Sequence, residues 1–183
     1  MVKFVKIILS LFYNRNTMST AATVSIKEYK FPMTVPEDFC YLYNSEKYKY
    51  AVVCIDGREF KKIKLKKSPG GYDKLYVHIV NILRNALDIA KEKYQSREYI
   101  VYVDMANTSM KQFDLTFAKT LIVILESTFQ DTLKYCIIKN APKLFKIIYR
   151  LIYPFIDKIT RKKFMFEKNG KIKKIDINEF MSS

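Results

Sequence analysis

Short apolar runs of strand type alternate with segments of helical period along most of this chain, and few folds accommodate that alternation. Tyr50-Ala51-Val52-Val53-Cys54-Ile55 is an apolar run closed by Asp56-Gly57, which predicts a strand and a turn. Phe60 to Leu65 alternates apolar residues with Lys, as a half-exposed strand does, and Ser68-Pro69-Gly70-Gly71 breaks the chain. From Tyr72 to Tyr94 the residues Tyr72, Tyr76, Ile79, Leu83, Leu87, Ala90 and Tyr94 hold i+3/i+4 spacing, which predicts a long helix. Tyr99 to Val103 reads as a strand ending at Asp104. Leu115 to Phe129 reads as a very apolar helix, expected to be buried on most sides. Tyr135 to Ile138 is a further strand, Lys143 to Tyr153 a helix stopped by Pro154, and Lys163 to Phe166 a last short strand. Strands alternating with helices predict an α/β fold, a largely parallel sheet covered by helices.

The flanks read differently. In Val2 to Tyr13, Lys3, Lys6 and Ser10 leave one narrow polar stripe on a helix, and the apolar run is far short of the ~20 residues that span a bilayer. It is expected to be a helix packed on the domain or an interfacial membrane helix. Residues 14–36, with Pro32 and Pro36, read as linker. Asn169-Gly170 is expected to turn the chain into a Lys-rich tail. The domain partition expected is therefore 1–36, 37–168 and 169–183.

Charge narrows the partners. Lys and Arg number 33 against 18 Asp and Glu, a net charge of +15, and residues 131–183 alone carry thirteen positive and five negative side chains. A polyanionic partner follows, a nucleic acid or an anionic membrane surface. No zinc-finger spacing, aromatic RNA-binding motif or basic zipper accompanies the charge, so no specific nucleic acid is expected. The three Cys, at 40, 54 and 136, form no CxxC, which argues against a disulfide framework and a zinc cluster.

Enzymatic chemistry finds little support. The one His, His78, falls mid-helix on the polar side with Asn81, Asn85 and Asp88 and is expected at the surface. Val101-Tyr102-Val103-Asp104 ends a strand in an acid, but the GxxxxGK[ST] loop that would make it a magnesium ligand is absent. Gly70-Gly71 lacks the GxGxxG pattern. No enzyme is expected, and no metal or cofactor.

The segment 143–153 carries the strongest surface signal. Lys143, Lys146 and Arg150 fall at i, i+3 and i+7, a basic stripe. Leu144, Ile147, Ile148, Leu151 and Ile152 cover the rest, with Phe145 and Phe155 at the ends. A wide apolar surface beside a basic stripe suits a helix that meets an anionic membrane and covers an apolar cavity; a plain amphipathic core helix has the same pattern.

Tyr135-Cys136-Ile137-Ile138-Lys139-Asn140-Ala141-Pro142, followed by Tyr153-Pro154-Phe155-Ile156-Asp157-Lys158-Ile159-Thr160-Arg161-Lys162-Lys163-Phe164, resembles the CRAL-TRIO lipid-binding family. That family includes the yeast-type phosphatidylinositol transfer proteins. Asn140, Ala141, Pro142, Pro154, Phe155, Asp157, Thr160 and Lys163 match its pattern. Tyr99 to Asp104 and Asp56-Gly57-Arg58 resemble its upstream strand and turn. The resemblance covers residues 37–168, in a short form without the family's N-terminal helical bundle.

The resemblance implies a lipid-binding domain whose apolar pocket lies beneath a mobile gate helix, here 143–153. Leu144, Phe145, Ile147, Ile148, Leu151, Ile152 and Phe155 would line gate and pocket. Asp131, Thr160 and Lys163 would hold the lipid headgroup, with Lys163 on the phosphate. Lys143, Lys146, Arg150, Lys158, Arg161 and Lys162 would contact the membrane. The function implied is binding, with transfer or presentation, of a phospholipid, foremost a phosphoinositide, by a cytoplasmic protein associated peripherally with anionic membranes. The alternative, suggested by short relatives without the bundle, is a scaffold that binds small GTPases or other proteins.

Overall fold

In the computed structural model of the protein, described for residues 39–43, 48–60, 71–109, 111, 113–142, 145–168 and 170–174, four parallel strands form the centre of a six-stranded sheet. All of these residues belong to one unit, Thr34–Ser183, so the helix and linker expected in 1–36 lie outside the described residues. The strands are β1 (Cys40–Tyr43), β2 (Ala51–Asp56), β3 (Tyr99–Asp104), β4 (Leu133–Lys139), β5 (Phe164–Lys168) and β6 (Lys171–Lys174), ordered in space as in sequence. β2 to β5 are parallel; β1 and β6 are antiparallel edges. Helices α1 (Gly71–Tyr94), α2 (Leu115–Thr128) and α3 (Phe145–Ile152) form the three crossovers, and α4 (Lys158–Arg161) is a single turn before β5.

Because the strand order advances steadily, three crossovers of the same right hand place α1, α2 and α3 on one face of the sheet. Residue alternation agrees. Val53, Ile55, Val101, Val103, Cys136 and Phe164 face the helices, and Val52, Cys54, Ile100 and Ile137 face the other way, packed with Tyr48, Tyr50, Tyr102, Tyr135 and Met165.

The caps follow from particular residues. Asp114 accepts the Phe117 N–H at 3.1 Å and starts α2, and the Tyr72 hydroxyl donates to its other oxygen at 2.7 Å. Gln95 takes the left-handed conformation (φ 50°) after α1, and the Ser96 N–H reaches back six residues to the Ala90 carbonyl at 3.0 Å, a wide closure that ends the helix. Pro154 stops α3 as expected, and the chain continues through a 3-10 turn at Tyr153–Phe155.

The motif residues gain physical reasons. Asn140 sits at φ 53°, a conformation Asn tolerates, and its side-chain amide donates to Asp104 Oδ1 at 2.9 Å. The same oxygen accepts the Ala106 N–H at 2.8 Å, so Asp104 ties the ends of β3 and β4 together. At Gly57 an added Cβ would lie 2.7 Å from Thr108 Cγ2 and 3.1 Å from the Asp104 carbonyl oxygen, so a larger residue requires its neighbours to shift. Arg58 folds back in a forked ion pair on Asp56.

β1 stands where no strand was expected: it carries no alternating pattern long enough to stand out, and forms because β2 offers it an edge. Three expectations are corrected. Residues 171–174 are a strand and not a free tail, since Gly170 (φ 73°) turns the chain back along β5. His78 is half-buried and not a surface residue, its Nε2 2.7 Å from the Cys40 carbonyl oxygen, which ties α1 to β1. α2 is not buried on most sides; only Phe117 and Ile124 are, Val123 is 48% exposed, and Leu121, Ile122 and Leu125 look into a cavity. The strand expected at Phe60 to Leu65 lies outside the described residues beyond Phe60, which is buried.

Candidate functional site

Between the sheet and the three helices lies an apolar cavity of about 520 Å³. Its floor is Val53, Ile55, Val101, Val103, Cys136 and Phe164; its walls include Ile79 and Leu83 of α1, Leu121, Ile122 and Leu125 of α2, and Ile152 and Ile156. A second cavity of about 260 Å³ continues toward the carboxyl ends of the strands. It shares Ile55, Ile79, Leu121, Ile122 and Ile152 with the first and adds Phe39, Phe60, Met105, Phe117 and Ile148. Polyaromatic packing borders this smaller lobe: the rings of Phe60, Tyr72 and Tyr76 each lie 5.0–5.5 Å from Phe117. Such a surface offers dispersion and area burial and no hydrogen-bond demand, which suits a hydrocarbon chain.

The larger cavity is polar only at one end. Glu126, Gln130, Asp131, Asp157, Thr160 and Lys163 meet there. The three residues expected at a headgroup site, Asp131, Thr160 and Lys163, thus border one cavity. Topology brings them together. Asp131 stands just before β4 and Lys163 just before β5, two parallel neighbours whose amino ends adjoin. The Lys163 carbonyl accepts the Cys136 N–H at 2.9 Å, which pins that residue to the edge of β4. Thr160 lies in α4, and Asp157 caps that helix by accepting the Ile159 and Thr160 N–H groups at 2.7 and 3.0 Å. Burial works to raise the Asp157 carboxyl, but hydrogen bonds from the Thr160 side chain and from both N–H groups, with the Lys163 charge, outweigh it and hold the group below the usual carboxylate range. The Asp157 N–H in turn donates to Glu126 Oε1 at 2.9 Å, joining α4 to α2.

α3 covers the cavities, and the residues expected to line them divide by face. Ile148 borders the smaller lobe and Ile152 borders both. Phe145 is buried but packs edge-on against Phe166 at 5.4 Å, outside the cavity lining. Ile147, Leu151 and Phe155 do not line it: they are 50%, 42% and 38% exposed, because a helix seated on a cavity turns half of its apolar positions outward. With Ile159, 61% exposed, they sit four residues apart in sequence along the outer side. Lys143 and Leu144 lie outside the described residues.

The basic set divides as well. Arg150, Lys158 and Lys162 are exposed and Lys146 is half-buried. Arg161 is engaged inside the molecule instead of facing outward. Its Nε and Nη2 donate to the Ile156 and Tyr153 carbonyls at 2.7 and 2.9 Å, and its guanidinium lies 3.7 Å from the Tyr153 ring centre.

Sequence reading missed three features here. Glu126 and Gln130 join the polar end, and no local pattern marks them. Tyr99 lines the same cavity, edge-on to Phe129 at 6.5 Å. Tyr149, 1% exposed, has a hydroxyl with no hydrogen-bond partner among the described residues. Its position, four residues after Phe145 and four before Tyr153, is the available signal, since it places all three on the inner side of α3.

Comparison with known proteins agrees with the geometry. The model of the CRAL/TRIO domain family matches residues 37–182. A CRAL-TRIO domain-containing protein of Caenorhabditis elegans is 42% identical over 45 residues, which are 25% of this chain and 6% of the worm protein. The crystal structure of Sfh5 superposes with a TM-score of 0.58 at 24% sequence identity, over 71% of this chain and 49% of that one, a likeness of fold. The chain spans about half the length of the Sfh5 chain and a small part of the worm protein. The family match takes in all six strands, the three crossover helices and both ends of the cavity, and the chain belongs to the CRAL/TRIO domain family.

Proposed function

We propose that this chain binds a phospholipid, foremost an inositol phospholipid, and transfers or presents it at anionic membranes as a cytoplasmic, peripherally associated carrier without enzymatic activity. The observation that carries the reading is the pairing of a large apolar cavity with Lys163, Thr160 and Asp131 at one end of it. An acyl chain gains about 0.8 kcal/mol for each CH₂ it buries, so extraction from a bilayer needs a continuous apolar chamber. A headgroup phosphate needs a cation at the chamber's polar end, and Lys163 supplies it.

The outer side of α3 and α4 supports membrane docking. Ile147, Leu151, Phe155 and Ile159 form an exposed apolar row beside Arg150, Lys158 and Lys162, the composition of an interfacial helix. α3 is the gate in this reading, since it covers the cavity and bears that row. The alternative, a scaffold for small GTPases or other proteins, is less well supported, because a scaffold needs no chamber and here the aromatic side chains border the cavity instead of filling it.

The test is lipid loading. The protein is incubated with mixed liposomes, re-isolated, and its extracted lipid identified by mass spectrometry. One phospholipid per chain is expected, with uptake lost in Lys163→Ala/Thr160→Ala. A folded protein that returns empty refutes the reading, and undiminished uptake by the folded double variant refutes the headgroup assignment.

A further inference from the structure

The seam between α2 and the chain that follows α3 runs through the exposed apolar row. The Lys119 ammonium of α2 lies 4.5 Å from the centre of the Phe155 ring, and Phe155 belongs to that row. Val123, also exposed, stands one turn after Lys119 on α2 and extends the row across the seam. Among the described residues a second polar tie crosses it, the Asp157 N–H to Glu126 Oε1 at 2.9 Å. Positions 119 and 126 are two turns of α2 apart, about 10 Å. Ile122 and Ile152 lie behind the Lys119 end and line both cavities, so a gap there opens straight into them. The other side of α3 is fastened. Tyr149 packs edge-on to Phe164 and Phe145 to Phe166, each at 5.4 Å, and Arg161 binds the Tyr153 and Ile156 carbonyls. α3 thus has a fixed edge along β5 and a weakly held edge along α2.

Building on the phospholipid reading, we infer that Lys119 is a latch on the α2–α3 seam, closed on the Phe155 ring in water and released by the negative charge of an anionic membrane surface. A cation–π contact at an exposed site is weak, worth about two- to fivefold in the closed population. An anionic lipid offers the same ammonium a charge-assisted hydrogen bond, roughly twice as strong as a neutral one. When Leu151, Phe155 and Val123 enter the bilayer interface, Lys119 beside them arrives at headgroup depth. There it exchanges the ring for a lipid anion. The Lys119 end of the seam parts, while the Glu126 bond holds the other end and the ring contacts hold the edge along β5. Away from a membrane nothing competes for the ammonium, and the apolar cavity stays covered. Lys119 is a positioning residue: it touches the cover and stands outside the cavity lining.

The test separates the latch from docking. Protein is incubated with vesicles of phosphatidylcholine alone, or of phosphatidylcholine with phosphatidylserine and phosphatidylinositol. Docked protein is measured by sedimentation, and the phospholipid carried by re-isolated protein is followed in time. Rates are compared per docked molecule. The parent is expected to load faster from the anionic vesicles. Lys119→Gln is expected to load about two- to fivefold faster than the parent from phosphatidylcholine, to lose the acceleration by anionic lipid, and to reach the same final loading. Lys119→Arg is expected to behave as the parent, since a guanidinium also stacks on a ring and binds phosphate. Phe155→Leu keeps an apolar side chain in the row but removes the ring, and is expected to match Lys119→Gln on phosphatidylcholine. Parent rates or slower ones in either folded variant, or a fall in final loading in place of a faster rate, overturn the inference and leave the lipid-binding reading intact. A folded parent that loads nothing from either vesicle overturns both.

Discussion

Tyr149→Phe is expected to stabilise this protein, which is unusual for a substitution at a residue 1% exposed. The hydroxyl is buried without a hydrogen-bond partner among the described residues, and such a group costs about 1–3 kcal/mol in lost hydration. Removing the oxygen leaves a void of roughly 10–15 Å³, which at about 24 cal/mol per Å³ costs about 0.3 kcal/mol. The aromatic contacts with Phe145, Tyr153 and Phe164 are kept, since a phenyl ring fills the same place. The balance is a gain of about 1–2 kcal/mol, or a Tm rise of about 3–6 °C in a chain of this length. Tyr72→Phe is the control of opposite sign. It removes a 2.7 Å hydrogen bond to the Asp114 carboxylate and is expected to cost about 1.5 kcal/mol. Urea and thermal denaturation of both variants read the difference. A Tyr149→Phe protein less stable than the parent by about 1 kcal/mol would show that the hydroxyl is hydrogen-bonded in the native state, and the argument would fail.

Other consequences are accessible to the same preparations. Asp56 is held below the usual carboxylate range, first by its hydrogen bonds with the Arg58 side chain, and Asp157 by those from Thr160 and Ile159 in spite of burial. Their contribution to stability is present above the unfolded Asp value of about 3.9 and lost as the pH falls through the lower native values. Asp56→Asn and Asp157→Asn should therefore flatten the acid limb of a stability–pH profile, and unchanged limbs would contradict the assigned bonds. Burial pushes the Cys136 and Cys40 thiols up to about 12 and Cys54 to about 11, so all three are expected to resist alkylation at pH 8 until the protein unfolds. Rapid labelling of the native protein would show an opening that exposes them. Leu151→Ser/Phe155→Ser changes exposed residues, and is expected to leave Tm within a few degrees while weakening binding to anionic vesicles about tenfold. Equal vesicle binding would remove α3 from the docking surface.

Much of the architecture is written locally. The strands at 51–56, 99–104 and 133–139 and the helix at 71–94 declare themselves because apolar period and turn residues act over a few positions. Asn140, Gly57 and Asp104 were visible as a pattern, and the reason for the pattern lies in close approaches between strands far apart in sequence. The edge strands were not legible. β1 and β6 depend on a neighbour for their hydrogen bonds, and four residues hold too little alternation to signal that. The outward turn of Ile147, Leu151 and Phe155 was hidden for a related reason: an amphipathic pattern shows that a helix has faces, but does not tell which apolar positions meet the cavity.

The sequence by itself determined the α/β alternation and the basic composition, because each is a property of composition or of short spacings; Asp131, Thr160 and Lys163 were singled out by the resemblance to a known family. The tertiary structure alone decided that these residues share the end of one cavity with Glu126 and Asp157, that Arg161 turns inward, and that the Tyr149 hydroxyl is buried with no hydrogen-bond partner among the described residues. Right-handed crossovers in a steadily advancing strand order put three helices on one face, and parallel pairing aligns the starts of β4 and β5. Contacts made by that geometry join residues about thirty positions apart, a separation at which local pattern carries no information.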